Sequence, residues 1–259
     1  MSLTLRQATP DMLEALYQVD VAAWGEEMAA TREMLVTRMR VNPGGNWIAV
    51  HEASGRIAGS VWTVWTDDVS HPTWFQSTGE GIYEKVFNPE GEVLFGVNIS
   101  VDRTVPAQDP VGPFLLHAAT MLVHTHGRTF ARMGGRMAGY HAWQKLFRPD
   151  DYIHLYRQPG GQVLVHDPAH GFYHDLGPLP ELMRIRDSVP EWIEPYASPI
   201  ADDVRLSELV PFDYDIAFFA SVPVLGRRFR IKRLLPGYFP DPESCDNGVL
   251  FEWRNPERA

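Results

Sequence analysis

The chain is poor in cysteine: Cys245 is the one thiol in 259 residues. A lone thiol forms no intrachain disulfide, so the fold must rest on its apolar core, and a reducing cytoplasm is the expected location. Long apolar runs are missing as well. No stretch reaches the roughly 18 residues that a membrane helix needs. The opening "MSLTLRQATPDMLEAL" has neither the basic start nor the apolar centre of a secretory signal. Positive charge is in deficit, with 23 Lys and Arg against 33 Asp and Glu, a net charge of −10. Nucleic acid and anionic membrane surfaces are therefore not expected partners. A local basic site for a phosphorylated ligand is still compatible with that balance. "RRFRIKR" at 227–233 is the strong basic run. Walker loops, Gly-x-Ser-x-Gly elbows and His-Glu-x-x-His elements are also absent, which leaves nucleotide-triphosphate, serine-hydrolase and zinc-protease chemistry without support.

What is present is periodicity. Residues 3–8 alternate apolar and polar and read as a strand. Thr9 and Pro10 then suit an N-cap and a first helical position, with Leu13, Leu16, Tyr17 and Val21 at helical spacing. A second amphipathic helix carries Met34, Leu35 and Met39 on one face and stops at "NPGG". Trp47–His51 and Ile57–Trp65 read as a hairpin about "EASG". Residues 67–91, polar but with Trp74, Phe75, Tyr83 and Phe87, predict an ordered flap. A strand at 92–102, a helix entered through "DPVG" and a strand at 128–134 follow. Phe114, Ala118, Met121, Leu122 and Thr125 line one side of that helix, and Gly127 suits its C-cap. A helix between two strands implies a parallel crossover, so the fold class is α/β with a mixed sheet. Further on, "DYDIAFFASV" reads as a helix and "RRFRIKRLL" and "GVLFEWR" as strands. Residues 155–212 yield no assignment.

Three segments carry candidate chemistry. In "VNISVDRTVPAQDPVGPFLL" a strand feeds a helix through Gly112. Exposed N–H groups at a helix N-terminus hold anions, and Arg103 adds a charge. An ordinary strand-to-helix turn fits the same residues. In "RMGGRMAGYHAWQKLF" a strand ends in glycines and is followed by Tyr140 and His141, two groups that can move protons or simply pack. In "HDPAHGFYHD", His166, His170 and His174 are four apart and would share a helical face with Asp167 or Asp175. Pro168 and Gly171 interrupt such a helix, so no metal is expected there.

The order of elements over the first 150 residues resembles the GCN5-related N-acetyltransferase (GNAT) superfamily. "LRQATPDMLEAL", "NWIAVHEASGRIAGSVWTVW" and "VNISVD…DPVG" resemble that superfamily's opening strand and helix, central hairpin and pyrophosphate segment. Pro110 stands where the family has its first glycine and has no N–H to donate. "GGRMAGYH" and "LLPGYFPDPESCDNGVLFEW" resemble the branch fused to nitrilase-type hydrolases and to polyketide synthase loading modules. Ala138 and Gly237 depart from that branch's usual Pro and Asn. The resemblance implies one domain over 1–259, with a common core at about 1–155 and 213–255 and an insertion at about 156–212. The fold it implies has a mixed, largely antiparallel sheet. It implies acetyl-CoA as cosubstrate, held by Asn98, Ile99, Ser100, Val101, Arg103, Gln108, Val111, Gly112 and Phe114. Tyr140 is then the acid and His141 a base or substrate contact, while Trp24, Glu26 and Glu27 shape the acceptor site. The reaction implied first is acetyl transfer to a small-molecule amine. Decarboxylation of malonyl-CoA, transfer to a carrier-protein thiol, and a non-catalytic CoA- or partner-binding module are the alternatives. The resemblance also admits a homodimer.

Overall fold

The computed structural model of the protein describes residues 2–67, 72–102, 104, 110–186, 188 and 192–258. A seven-stranded sheet joins, in order, the strands Leu3–Gln7, Asn46–His51, Ile57–Thr66, Val93–Val101, Phe130–Arg136, Gly248–Arg254 and Arg230–Leu235, and a four-stranded sheet joins Phe172–Pro178, Gln162–Asp167, Leu155–Arg157 and Val210–Pro211. The chain divides into two compact units, the first made of 1–134, 222–230 and 251–259, the second of 135–221 and 231–250. The second unit encloses the 156–212 segment and extends past it at both ends.

The first unit opens with β1 (Leu3–Gln7), a short 3-10 turn, α1 (Leu13–Trp24) and α2 (Arg32–Val41). Thr9 sits at the start of the 3-10 turn, but its side chain makes no capping bond. Thr31 does cap α2, accepting the Met34 N–H at 3.2 Å. Strands β2 (Asn46–His51) and β3 (Ile57–Thr66) form the expected hairpin. β3 is buried along nearly its whole length because it lies between β2 and β4 (Val93–Val101). The flap before β4 contains a single helical turn, α3 (Trp74–Ser77), and a fully buried Tyr83.

Helix α4 (Val111–Thr125) links β4 to β5 (Phe130–Arg136), and these strands pair in parallel as the crossover requires. Its buried side is Val111, Leu115, Leu116, Ala118, Ala119, Thr120 and Val123. That stripe is rotated from the face read in the sequence: Phe114, Met121 and Leu122 are half-buried and Thr125 is exposed. The helix is apolar almost all round, so periodicity alone does not choose its core face. Gly127 takes φ +61 beyond the last turn, where the Arg128 N–H reaches the Val123 carbonyl at 2.9 Å.

The second unit holds α5 (Pro149–Tyr152) and strands β6 (Leu155–Arg157), β7 (Gln162–Asp167) and β8 (Phe172–Pro178). Helix α6 (Leu179–Ile185), strand β9 (Val210–Pro211) and α7 (Tyr214–Ser221) follow. β10 (Arg230–Leu235) and β11 (Gly248–Arg254) close the chain, each shared between the two residue sets. The helical spacing of His166, His170 and His174 is overruled by a hairpin between β7 and β8 that turns at Gly171, φ +76. His166 packs its ring 4.8 Å from that of Tyr173, His170 pairs with Asp167 at 2.7 Å, and His174 Nδ1 meets the Ser198 carbonyl at 3.0 Å, so the three rings have separate partners. Gly237 takes φ +66, a conformation that asparagine also tolerates, which accounts for either residue before Tyr238.

Candidate functional site

Strand β4 is two strands in one. Its first half, Val93–Gly96, pairs with β3 on one edge and with Phe130–Met133 of β5 on the other. The β5 ladder stops at Gly96↔Met133. One residue later the β3 ladder slips, so that Trp62 faces Asn98 while Thr63 faces Gly96. Val97 is thus the extra residue of a bulge, a device that bends and twists a strand. Beyond it, Asn98–Val101 keep β3 on one edge and have no β5 partner among the described residues. An open strand edge of this kind offers N–H and C=O groups to an extended ligand.

On one face of this open half lies a buried polar network that sequence reading missed, except for Asn98, Ser100 and Trp24. Asp20 of α1 and Arg38 of α2 are each 1% exposed. Asn98 Nδ2 donates to Asp20 Oδ1 at 2.8 Å and to Ser100 Oγ at 3.1 Å. Ser100 Oγ donates to the same Asp20 oxygen, and Trp24 Nε1 donates to Ser100 Oγ at 2.9 Å. Asp20 Oδ2 accepts the Ala30 N–H at 2.7 Å. Arg38 donates from Nε to the Gly81 carbonyl at 2.7 Å and from Nη1 to Asn98 Oδ1 at 3.2 Å. Its guanidinium lies 5.7 Å from the ring centroids of both Trp62 and Tyr83. Trp74 Nε1 donates to the carbonyl of the bulge residue Val97 at 3.0 Å. Glu26 and Glu27, expected beside Trp24 at the acceptor, are exposed in the loop after α1.

On the other face α4 begins. Gly59 of β3 makes this possible: a Cβ there would lie 2.6 Å from the Ser100 carbonyl and 2.8 Å from Val111 Cγ1. The helix starts at Pro110 with no side-chain cap. Val111 is buried and Gly112 and Phe114 are half-buried; the Phe114 N–H turns back to the Pro110 carbonyl at 2.9 Å. The N–H groups of Val111 and Gly112 therefore carry the positive end of the helix dipole, with no capping side chain among the described residues. Arg103 and Gln108 lie outside the described residues. Just before them, burial acts to raise the pKa of Asp102, but the Thr104 N–H and hydroxyl and the Arg56 guanidinium outweigh it and hold the carboxyl below its ordinary range.

Tyr140 and His141 belong to the second unit, on a 3-10 turn at Tyr140–Ala142. The turn is clamped. The Met137 N–H donates to Ser244 Oγ at 3.1 Å, and the Gly139 N–H donates to Asp213 Oδ2 at 3.3 Å. Arg136 Nε donates to Asp241 at 2.7 Å. The Tyr140 ring packs 5.1 Å from that of Tyr152, and its hydroxyl donates to the Phe147 carbonyl at 3.1 Å. Burial, then the nearby Cys245 and Asp151, push that hydroxyl's pKa up. His141 is exposed beside it. Asp215, in the first turn of α7, is pushed up to about 7 by burial and by Asp213.

No family model and no curated protein matches the chain. Solved structures do. The loading GNATL domain of CurA from Lyngbya majuscula aligns with a TM-score of 0.67 at 16% identity, covering 98% of each chain. A GphF GNAT-like decarboxylase, solved in complex with isobutyryl-CoA, aligns with a TM-score of 0.60 at 20% identity. That likeness covers 97% of this chain and 98% of the other. The fold is GNAT-like. Among the described residues no helix is long and apolar enough to cross a membrane.

Proposed function

We propose that the protein is an acyl-CoA enzyme that lays the pantetheine arm along Asn98–Val101 and sets the pyrophosphate against the Val111 and Gly112 N–H groups. The open edge of β4 supplies main-chain groups for an extended amide-bearing arm. The α4 terminus, which no described side chain caps, supplies the field for phosphate. Pro110 removes one donor from that terminus, so the pyrophosphate relies on fewer N–H groups.

The chemistry best supported is on the thioester itself, without an amine: loss of CO2 from a malonyl-type group, or transfer to a carrier thiol. The observation that carries this reading is the likeness over nearly the whole chain to a loading domain and to a decarboxylase. In the decarboxylation, the carbon–carbon bond pair moves into the thioester carbonyl as CO2 departs. The enolate then takes a proton to become an acetyl thioester. Main-chain N–H groups of the open strand suit the enolate oxygen, and solvent can supply the proton. Acetyl transfer to a small amine is the second reading, favoured by the exposed carboxylates Glu26 and Glu27, which suit an ammonium group.

Calorimetric titration with acetyl-CoA and malonyl-CoA, followed by CO2 and free-thiol release with and without a mixed amine pool, separates these readings. CO2 from malonyl-CoA without amine is the expected result. Amine-dependent thiol release from acetyl-CoA would move the assignment to N-acetyl transfer. Absence of binding to either thioester would end both.

A further inference from the structure

The network on the open half of β4 has one acidic member and one basic member, and both act on the same amide. A carboxylate only accepts hydrogen bonds and a guanidinium only donates them. Asp20 on one side and Arg38 on the other therefore allow the Asn98 amide a single orientation, Nδ2 toward Asp20 and Oδ1 toward Arg38. Asp20 also takes the Ser100 hydroxyl, so two alternate residues of the strand hang from one carboxylate. The same carboxylate holds the Ala30 N–H, which anchors it from the loop before α2. The strand it grips is the stretch that has no β5 partner among the described residues. Unpaired strand segments open more readily than paired ones. A buried carboxylate with three donors resists that opening, because releasing any of them leaves a buried polar group unsatisfied.

We infer that Asp20 is a positioning residue for thioester binding: through Asn98 and Ser100 it holds Asn98–Val101 in the register that meets the pantetheine arm. This rests on the reading of β4 as the thioester strand. Asp20 itself touches no ligand. Its effect is on affinity, transmitted by the strand. Asn98 and Ser100 contribute side chains to the anchor, and their main chain forms the binding edge.

The test compares the full-length protein with Asp20→Asn, Ser100→Ala and the double variant. Three readouts are used: calorimetric titration with coenzyme A and acetyl-CoA, a thermal melt, and hydrogen exchange of the amides at 98–101. Asp20→Asn keeps the shape but loses charge and acceptor capacity. The expected result is a folded variant whose dissociation constant for coenzyme A rises about tenfold, the scale of one charged hydrogen bond. Faster exchange at 98–101 accompanies it. The double variant is no weaker than Asp20→Asn alone, since both act through one anchor. A lowered melting temperature with unchanged affinity and unchanged exchange at 98–101 would show a purely structural carboxylate and overturn the inference. Additive losses in the double variant would overturn it as well. If the wild-type protein binds neither ligand, the thioester reading fails and the inference falls with it, an outcome distinct from binding that is indifferent to Asp20. If Asp20→Asn does not fold, Ser100→Ala and Trp24→Phe, which remove single arms of the network, decide by the same affinity and exchange criteria.

Discussion

Gly139 illustrates how one small residue serves the turn that carries Tyr140 and His141. Its φ is ordinary, so conformational freedom is not the reason for glycine. Space is: a Cβ at 139 would lie 2.6 Å from the Tyr152 hydroxyl. That hydroxyl is itself held by Asp213 at 3.3 Å, the same carboxylate that takes the Gly139 N–H. Gly139→Ala must displace Tyr152 or the turn, at a cost of about 1–3 kcal/mol. Denaturant unfolding measures it, and an unchanged midpoint would show that the turn yields freely. Tyr140 marks the limit of a residue-by-residue reading. Its chemistry suggests an acid, but the carbonyl that engages its hydroxyl belongs to Phe147, whose position follows from the turn's course.

At the scale of elements, the site depends on how closely α4 settles against β3 and β4. Gly59 is a point of close approach, with the Ser100 carbonyl and the Val111 side chain both inside 3 Å of a would-be Cβ. Backbone cannot yield as a flexible side chain can. Gly59→Ala is expected to push the first turn of α4 away from β4, destabilising the fold by about 1–3 kcal/mol and weakening coenzyme A affinity with it. Titration calorimetry beside a thermal melt checks both, and wild-type affinity in the variant would detach the helix terminus from binding. The elements themselves were largely legible. β1 to β5, both N-terminal helices, α7, β10 and β11 follow alternation, helical spacing or capping residues. The hairpin β7–β8 did not, because histidines at four-residue intervals suit a helix as well as they suit two antiparallel strands.

For the molecule as a whole, pH is the informative variable. Asp215 is pushed up to about 7 from an ordinary 3.8, by burial first and by Asp213 second, against the pull of Arg136. Its folded pKa is raised, so its contribution to stability is full below pH 4 and is lost as pH rises through 7. Asp102 and Asp241, held low, act in the opposite sense and mainly below pH 4. His154 and His166, lowered by burial, also oppose Asp215, losing stability as pH falls below 6.5. The difference between wild type and Asp215→Asn isolates the one carboxyl. The variant is expected to be more stable by about 2 kcal/mol at pH 8, and the gap should close toward pH 4. Unfolding curves across that range would refute it by showing a constant difference.

Periodicity and punctuation in the chain were enough to establish an α/β fold with a parallel crossover. The motif order established the resemblance to the acetyltransferase superfamily. These are local properties, carried by residues two to four apart and by glycines and prolines at fixed offsets. The anchor of β4 was not available that way. Asp20 and Asn98 are 78 positions apart, and Arg38 and Asn98 are 60 apart. Nothing in either local sequence distinguishes a buried Asp or Arg from a solvated one. A buried charge is tolerable only once its partners are brought to it, and that meeting happens when α1, α2 and β4 pack together. The same holds for the open edge of β4, which exists because β5 stops pairing at Met133.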